Sequence, residues 1–244
     1  MLFKLDHLEV VEIVRPIDSG MTQPFLCQLA DDQLYAVKGR GALVHGLIAE
    51  TIAGCLGRQI GLPIPDFVLA EMPASLVRGF GDPTLESAIG EGTAFASLWQ
   101  EPVETIATPF LKTIPQRLLA KIYAFDHWIM NGDRTLTEHG GNPNLLVRLD
   151  SNSLIVIDHN LAFSNTYHHR ELAVHACRPA WIKMSRDFVF CEELFAAMDT
   201  ALAMLNDITG QLPGAWIEAS GDFVERISQT VSRAGQRGFW DEME

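Results

Sequence analysis

The pattern of predicted elements changes near residue 107, and this change constrains the fold more than any other feature of the chain. Before it, short β-branched runs bounded by turn residues predict strands, with one helical pattern at 44–61. After it, amphipathic helical patterns surround a short hairpin. This order predicts an α+β fold of two lobes, a β-rich lobe at 1–107 and a mostly helical lobe at 108–244, with a ligand-binding cleft between them.

The individual elements follow from local patterns. Strands are predicted at 8–17, 25–30, 34–38, 66–71, 94–99, 144–149 and 153–157. Helices are predicted at 44–61, 115–130, 191–209 and 219–235. Two stretches rich in turn residues, 78–92 and 131–143, are predicted to be loops, the first with a short helical turn.

The charge of the chain limits the classes of partner. Acidic residues outnumber basic ones by 31 to 18, and the formal net charge is −13. This charge repels nucleic acid, and the sequence contains no run of Lys and Arg that offers a local exception. No apolar run approaches the roughly 18 residues of a membrane span, so we expect no membrane insertion. Four cysteines without a paired spacing fit reduced thiols in a cytoplasmic protein.

Three motifs in the second half place polar side chains in a fixed order. Asn-Gly-Asp-Arg at 131–134 follows a predicted helix, which gives Asp133 a rigid base. Asn142 and Asn144 precede a short apolar strand, and a second apolar strand ends at Asp158. Each motif alone is typical of a turn or a helix cap. Their order, Asp then Asn then Asp, is the one that kinases use for phosphoryl transfer.

This order predicts a role for each side chain. Asp133 is the expected catalytic base, which orients the acceptor hydroxyl and takes its proton. Asp158 and one asparagine supply the oxygen ligands that Mg²⁺ prefers. Asn144 directly precedes the strand and is the favoured ligand. Asn142 is the second candidate, but Pro143 restricts its backbone and is expected to turn its side chain away from the metal.

The first half contains residues suited to bind phosphates. Tyr-Ala-Val-Lys at 35–38 is a predicted strand that ends in Lys38 and is close to the Val-Ala-Ile-Lys signature of kinases. Lys38 is expected to contact the nucleotide phosphates, and Glu50 in the following helix to pair with Lys38. Four residues between the first two strands lie where a phosphate-covering loop is expected: Ser19, Gly20, Met21 and Thr22.

Taken together, these residues resemble the HipA-like kinase family, most closely its small single-domain bacterial members. The series Asp-Arg-Thr at 133–135, Asn-Pro-Asn at 142–144, Ile-Asp-His at 157–159 and Tyr-His-His at 167–169 carries the resemblance. The order is also similar, more distantly, to that of phosphatidylinositol kinases. The resemblance implies a two-lobed protein-kinase-like fold, ATP and Mg²⁺ as cofactors, and transfer to a serine or threonine.

Two other functions remain open from the sequence. Small-molecule kinases of the aminoglycoside phosphotransferase type share the fold, but they normally carry His two residues before the catalytic Asp, where this chain has Asn131. A non-catalytic nucleotide-binding protein is the second alternative. Every expected charged position is filled, which favours activity. The phosphoryl acceptor, a protein or a small molecule, is not identified by any motif.

Overall fold

The computed structural model of the protein describes residues 4–17, 22–79, 81–137, 140–236 and 238–243. Within these ranges the architecture is α+β, with most strands in the first half of the chain and most helices in the second. No helix in these ranges is both long and apolar enough to cross a membrane.

The strands of the first half form one closed sheet. The elements of this half are β1 His7–Pro16, β2 Phe25–Leu29, β3 Leu34–Lys38, α1 Leu43–Gln59, β4 Phe67–Met72, α2 Ala74–Gly79, α3 Pro83–Ile89 and β5 Gly92–Leu98. The strand order is β1-β2-β3-β5-β4, and β1 closes the sheet by pairing in parallel with β4. The predicted strands and the predicted helix at 44–61 are confirmed.

The stretch 78–92, predicted to be a loop with a short helical turn, is more helical than expected because it contains α3 and the end of α2. Asp82 caps α3, since its Oδ1 accepts the backbone N–H of Thr84 at 2.9 Å. Pro83 follows at the first helical position. Asp before a helix and Pro at its first residue are ordinary start signals, which the glycines around them obscured.

The second half contains two long helices, a hairpin and several shorter helices. Its elements are β6 Val103–Thr105, α4 Thr108–Leu111, α5 Gln116–Trp128, β7 Leu145–Arg148, β8 Leu154–Val156, α6 Arg178–Met184, α7 Phe188–Leu202, α8 Leu205–Thr209, α9 Gly214–Ser220 and α10 Phe223–Val231. The predicted helix at 115–130 and the predicted hairpin are confirmed. The short strand β6, which was not predicted, extends the hairpin to an antiparallel sheet of three strands.

The two long helices predicted near the C-terminus are both interrupted. The stretch 191–209 contains α7 and α8, and α7 begins earlier than predicted because Asp187 caps it by accepting the Phe190 N–H at 3.1 Å. The stretch 219–235 is divided by Gly221, whose φ of +60° is a left-handed conformation that glycine adopts readily. Helix α6 was not predicted.

Helix α1 joins the sheet to the helices of the second half. All of its residues from Gly46 to Gly57 are buried, as expected for a helix that is covered on every side. One cluster of buried apolar side chains fills the closed sheet, whereas a larger cluster joins α1 to α5 and the C-terminal helices. Polar residues on α1 can therefore contact both halves of the chain.

Candidate active site

Lys38, at the end of β3, forms ion pairs with two carboxylates. Its Nζ lies 2.5 Å from Oε1 of Glu50 and 2.7 Å from Oδ1 of Asp158. Burial alone would lower the pKa of Lys38, but the charges of Glu50 and Asp158 outweigh it and raise the pKa above its ordinary value. The predicted contact with Glu50 is present, and Asp158 adds a second contact from the other half of the chain.

Glu50 connects the lysine to the segment that follows β8. Only 3% of its surface is exposed, and its Oε2 accepts the backbone N–H of His159 at 3.0 Å. Burial would raise the pKa of Glu50, but Lys38 and His159 together hold it well below its usual range. Glu50 is therefore ionised, and it holds Lys38 with one oxygen and the backbone beside Asp158 with the other.

The hairpin of β7 and β8 places Asn144 beside Asp158. Asn144 directly precedes β7 and Asp158 lies two residues after β8, while the N–H of Ile157 donates to the carbonyl of Asn144 at 3.1 Å. Both residues have positive φ angles, +47° for Asn144 and +61° for Asp158. Asn and Asp adopt this left-handed conformation more readily than most residues, and such conformations are concentrated at functional sites.

Two asparagine amides converge on the carboxylate of Asp133. Oδ2 of Asp133 accepts the Nδ2 of Asn144 at 2.8 Å and the Nδ2 of Asn142 at 3.0 Å. Asn142 thus contacts Asp133, and the expectation that Pro143 turns it away from the metal stays a prediction. Burial raises the pKa of Asp133, the nearby Asp158 carboxylate adds to the rise, and the amide of Asn144 only partly opposes it.

The oxygen atoms around Asp158 suit a hard divalent cation. No group of three or more His, Cys, Asp or Glu side chains in the described part of the chain is placed to hold a metal ion, so a cation here would depend on asparagine as well. Asp158 uses Oδ1 to accept from Lys38, and Asn144 uses its amide nitrogen to contact Asp133, which leaves one oxygen of each side chain for a metal. Carboxylate and amide oxygens fit Mg²⁺.

The side chain of Arg134 connects the segment that carries Asn144 to the segment that carries Asp158 by hydrogen bonds. Its guanidinium is completely buried and donates to Oδ2 of Asp126 at 2.7 Å. It also donates to the backbone carbonyls of Asn144 at 2.6 Å and Ile157 at 3.3 Å. One side chain thus fixes the backbone next to Asn144 and Asp158.

Asp126, on the buried side of α5, is the acceptor at the centre of this network. Besides Arg134, it accepts from Nδ2 of Asn131 and from Nε2 of His175, both at 2.8 Å. Burial would raise the pKa of Asp126, but Arg134 and then His175 hold it well below its usual range. Sequence reasoning did not identify Asp126 or His175. The only signal was a carboxylate among the apolar residues of an amphipathic helix.

A cavity of about 410 Å³ opens onto these side chains. Its walls come from β3, α1, β5, β7 and β8, and from the segment between β5 and β6. Of the predicted site residues, the following line it: Thr22, Lys38, Glu50, Asn142, Asn144 and Asp158. Asp133 contacts the two asparagines from outside the lining. Three further predicted residues, Ser19, Gly20 and Met21, lie outside the described residues.

Comparisons with known proteins show the family and the fold of the chain. The sequence model of the HipA-like kinase family matches residues 10–243, which is nearly the whole chain. No curated protein matches the sequence. The crystal structure of a Helicobacter pylori proinflammatory kinase, CtkA, is similar with a TM-score of 0.53 and 11% identity, covering 95% of this chain and 98% of that one. This similarity identifies the α+β fold as kinase-like.

Two structures of the Golgi casein kinase are more distant. One has a TM-score of 0.44 and 12% identity, and covers 96% of this chain and 74% of that one. The other, solved with Mn/ADP bound, has a TM-score of 0.42 and 13% identity over the same shares of the two chains.

Proposed function

This chain belongs to the HipA-like kinase family, and we propose that it transfers the γ-phosphoryl group of ATP to the hydroxyl group of a serine or threonine in a protein. The observation that carries the proposal is the cation of Lys38 held between Glu50 and Asp158. A lysine fixed in this way by a helix carboxylate, beside a carboxylate suited to a metal, is the arrangement that phosphoryl transfer requires.

We place the nucleotide in the 410 Å³ cavity, between a β-rich lobe at 1–107 and a helical lobe at 108–244. The volume lies within the range of about 300–1,000 Å³ that is usual for ligand pockets. Ala36 from one half and Leu146 and Val156 from the other supply apolar walls suited to a base. The phosphates would then point toward Lys38, with Thr22 covering them.

Mg²⁺ would be held by Asp158 and Asn144, with Asn142 as the alternative asparagine. When bound, it would neutralise negative charge on the transferring phosphoryl group. Lys38 contributes a second positive charge, and its contact with Glu50 keeps the ammonium in place.

Asp133 would act on the acceptor. Its carboxylate is held by the amides of Asn142 and Asn144, so its orientation is fixed before the acceptor arrives. From this position Asp133 accepts the proton of the attacking hydroxyl group. Arg134, directly after it, is buried and unable to contact an acceptor, so its role is to hold the surrounding backbone.

Asn131 occupies the position at which small-molecule kinases of the aminoglycoside phosphotransferase type normally carry His. The residue is completely buried, and its amide donates to Asp126. A side chain in this position supports the backbone beneath Asp133. The protein acceptor is the preferred proposal because the chain belongs to the HipA-like kinase family.

Labelled ATP distinguishes the acceptor classes. The purified protein is incubated with [γ-³²P]ATP, Mg²⁺ and either a cell extract or a set of aminoglycosides, with Asp133→Asn as the matched control. We expect label in one or a few proteins of the extract, in phosphoserine or phosphothreonine, and none with the variant. Label in an aminoglycoside only would favour the small-molecule alternative. Nucleotide binding without any transfer would favour the non-catalytic one.

A further inference from the structure

A second cavity, of about 450 Å³, carries three cationic side chains: Lys112, Arg178 and Lys183. Its lining in the described part of the chain includes no Asp and no Glu. Within the described ranges, no ion pair joins any of the three cations to a carboxylate. Among the described residues, the three cations therefore have no carboxylate partner, although Arg178 contacts the hydroxyl of Tyr123.

This grouping is unusual for the composition of the protein. The chain has 31 acidic residues and only 18 basic ones, so most of its surface repels an acidic partner. The three cations come from the end of α4 and from α6, which are far apart in the sequence. Folding thus creates a local positive site that the order of residues does not reveal. Complementary charge at such a site selects partners and speeds their association.

The cavity adjoins the loop that carries Asp133. The N–H of Leu136 donates to the carbonyl of Val174 at 3.1 Å, and the N–H of Ala176 donates to that of Arg134 at the same distance. Leu136 and Val174 both line the cavity. Leu136 follows Asp133 by three residues, so their Cα atoms lie within about 11 Å of each other, a short distance for an extended peptide.

The wall of the cavity is joined to the network beneath the candidate active site. His175 lines the cavity and donates from Nε2 to Asp126, which also holds Arg134. His175 additionally accepts the N–H of Cys177 through Nδ1 at 3.0 Å. Hydrogen bonds therefore connect this side of the cavity, through Asp126, to Arg134, the residue directly after Asp133.

We propose that this cavity binds an acidic segment of the protein acceptor, with Glu or Asp side chains contacting Lys112, Lys183 and Arg178. Its part in catalysis rests on the proposed function, because the segment would bring a serine or threonine to Asp133. Binding of the segment itself needs no nucleotide. The apolar residues between the cations, such as Leu111 and Val174, would contact the rest of the segment.

Peptide binding tests the proposal directly. The probe is a short fluorescein-labelled peptide with a central serine flanked by glutamates, and the reference is the same peptide with glutamine at each glutamate. The test variant is Lys112→Gln/Lys183→Gln, since both lysines are exposed and their loss leaves the core intact. The control is Arg78→Gln/Arg186→Gln, which removes the same charge at two exposed positions outside the cavity.

We expect the wild-type protein and the control to prefer the glutamate peptide in fluorescence anisotropy. The double lysine variant should lose roughly tenfold in affinity for it, as expected for two ion pairs. The preference should weaken as salt is raised. Equal affinity for the two peptides, or an equal loss in the control variant, would overturn the proposal. So would a lysine-dependent preference for a single-stranded oligonucleotide over the glutamate peptide.

The wild-type protein and the two double variants also distinguish a failure of the docking proposal from a failure of the proposed function. ATP binding and transfer of ³²P to each peptide are measured alongside anisotropy. Lysine-dependent binding of the glutamate peptide without transfer would support the docking cavity and count against the kinase proposal. Transfer at equal rates to both peptides, unchanged by the lysine substitutions, would support the kinase and overturn the docking cavity.

Discussion

The backbone N–H of His159 donates a hydrogen bond of 3.0 Å to Oε2 of Glu50. Through Oε1 the same carboxylate contacts Lys38. Glu50 therefore fixes the lysine at the end of β3 and the backbone beside Asp158 at once. Because of this double role, we expect Glu50→Gln and Glu50→Ala to have different effects, although both remove the ion pair with Lys38.

Lys38→Met is expected to weaken nucleotide use, measured as kcat/KM for ATP. The loss should be roughly 10- to 100-fold, because a hydrogen bond to a charged group contributes about 1.5–3 kcal/mol. Glu50→Gln should lose less, since the amide oxygen still accepts the His159 N–H. Glu50→Ala should lose more than Glu50→Gln because it gives up both contacts.

The double variant Lys38→Met/Glu50→Gln tests whether the two residues act as one unit. We expect it to be no worse than Lys38→Met alone, as double-mutant cycles show for residues in direct contact. Fully additive losses would show that Lys38 and Glu50 act independently.

Asp158→Ala should abolish stabilisation of the protein by Mg·ATP. At about 100 times its Kd, a ligand that binds only the folded state adds about 2.7 kcal/mol to the free energy of unfolding. Thermal unfolding with and without Mg·ATP measures this increment. Asp150→Ala is a suitable control, because this exposed carboxylate lies outside the cavity. An increment in Asp158→Ala equal to that of the wild-type protein would refute the metal role of Asp158.

Asn144→Ala should raise the Mg²⁺ concentration needed for ATP binding roughly tenfold or more, since even the outer partners of metal ligands change affinity by about 10- to 100-fold. Asn142→Ala should have a smaller effect. Binding is the better readout than transfer, because both amides also hold Asp133 and both variants will slow the chemistry. The assignment is reversed if Asn142→Ala raises the Mg²⁺ requirement and Asn144→Ala leaves it unchanged.

Arg134→Ala should lower the free energy of unfolding by about 3–5 kcal/mol, because it leaves the buried carboxylate of Asp126 without its main partner. Two backbone carbonyls, those of Asn144 and Ile157, lose a donor as well. Urea unfolding measures the change. Arg148→Ala, which removes a half-buried arginine paired with Asp150, should have a much smaller effect. Similar changes in the two variants would show that the buried network is not what stabilises this region.

The sequence predicted the parts of the site that depend on local pattern. Lys38 ends a strand, Asp158 follows a strand, and Asn144 precedes one, so each position could be inferred from neighbouring residues. The contact of Lys38 with Glu50 also followed, since a helix directly after a strand brings the two together.

The parts that sequence analysis missed depend on contacts between distant segments. Asp126 and His175 are 49 residues apart, and only the packing of α5 against the turn before α6 makes them partners. The strand β6 is equally non-local, because its three residues become a strand by pairing with β7. The cations of the second cavity also meet only in the folded chain. Local periodicity carries no signal for such pairings.

The role of Asp133 is the central claim, and its pH dependence follows from its surroundings. Burial and the neighbouring Asp158 raise the pKa of Asp133 above its ordinary value of about 3.9. A catalytic base acts only when deprotonated, so the rate of transfer should fall as the pH falls through this raised pKa. The acid limb of the kcat/KM profile, which reports the free enzyme, should therefore lie above that of an ordinary aspartate.

Asp133→Asn tests this claim most directly. Transfer of ³²P from labelled ATP and binding of Mg·ATP are measured for the wild-type protein and the variant in parallel. The account predicts that the variant still binds Mg·ATP, with a loss of affinity much smaller than its loss of rate, and transfers phosphate roughly 10²- to 10⁴-fold more slowly, the usual contribution of a positioned base. Transfer by Asp133→Asn at close to the wild-type rate would contradict it.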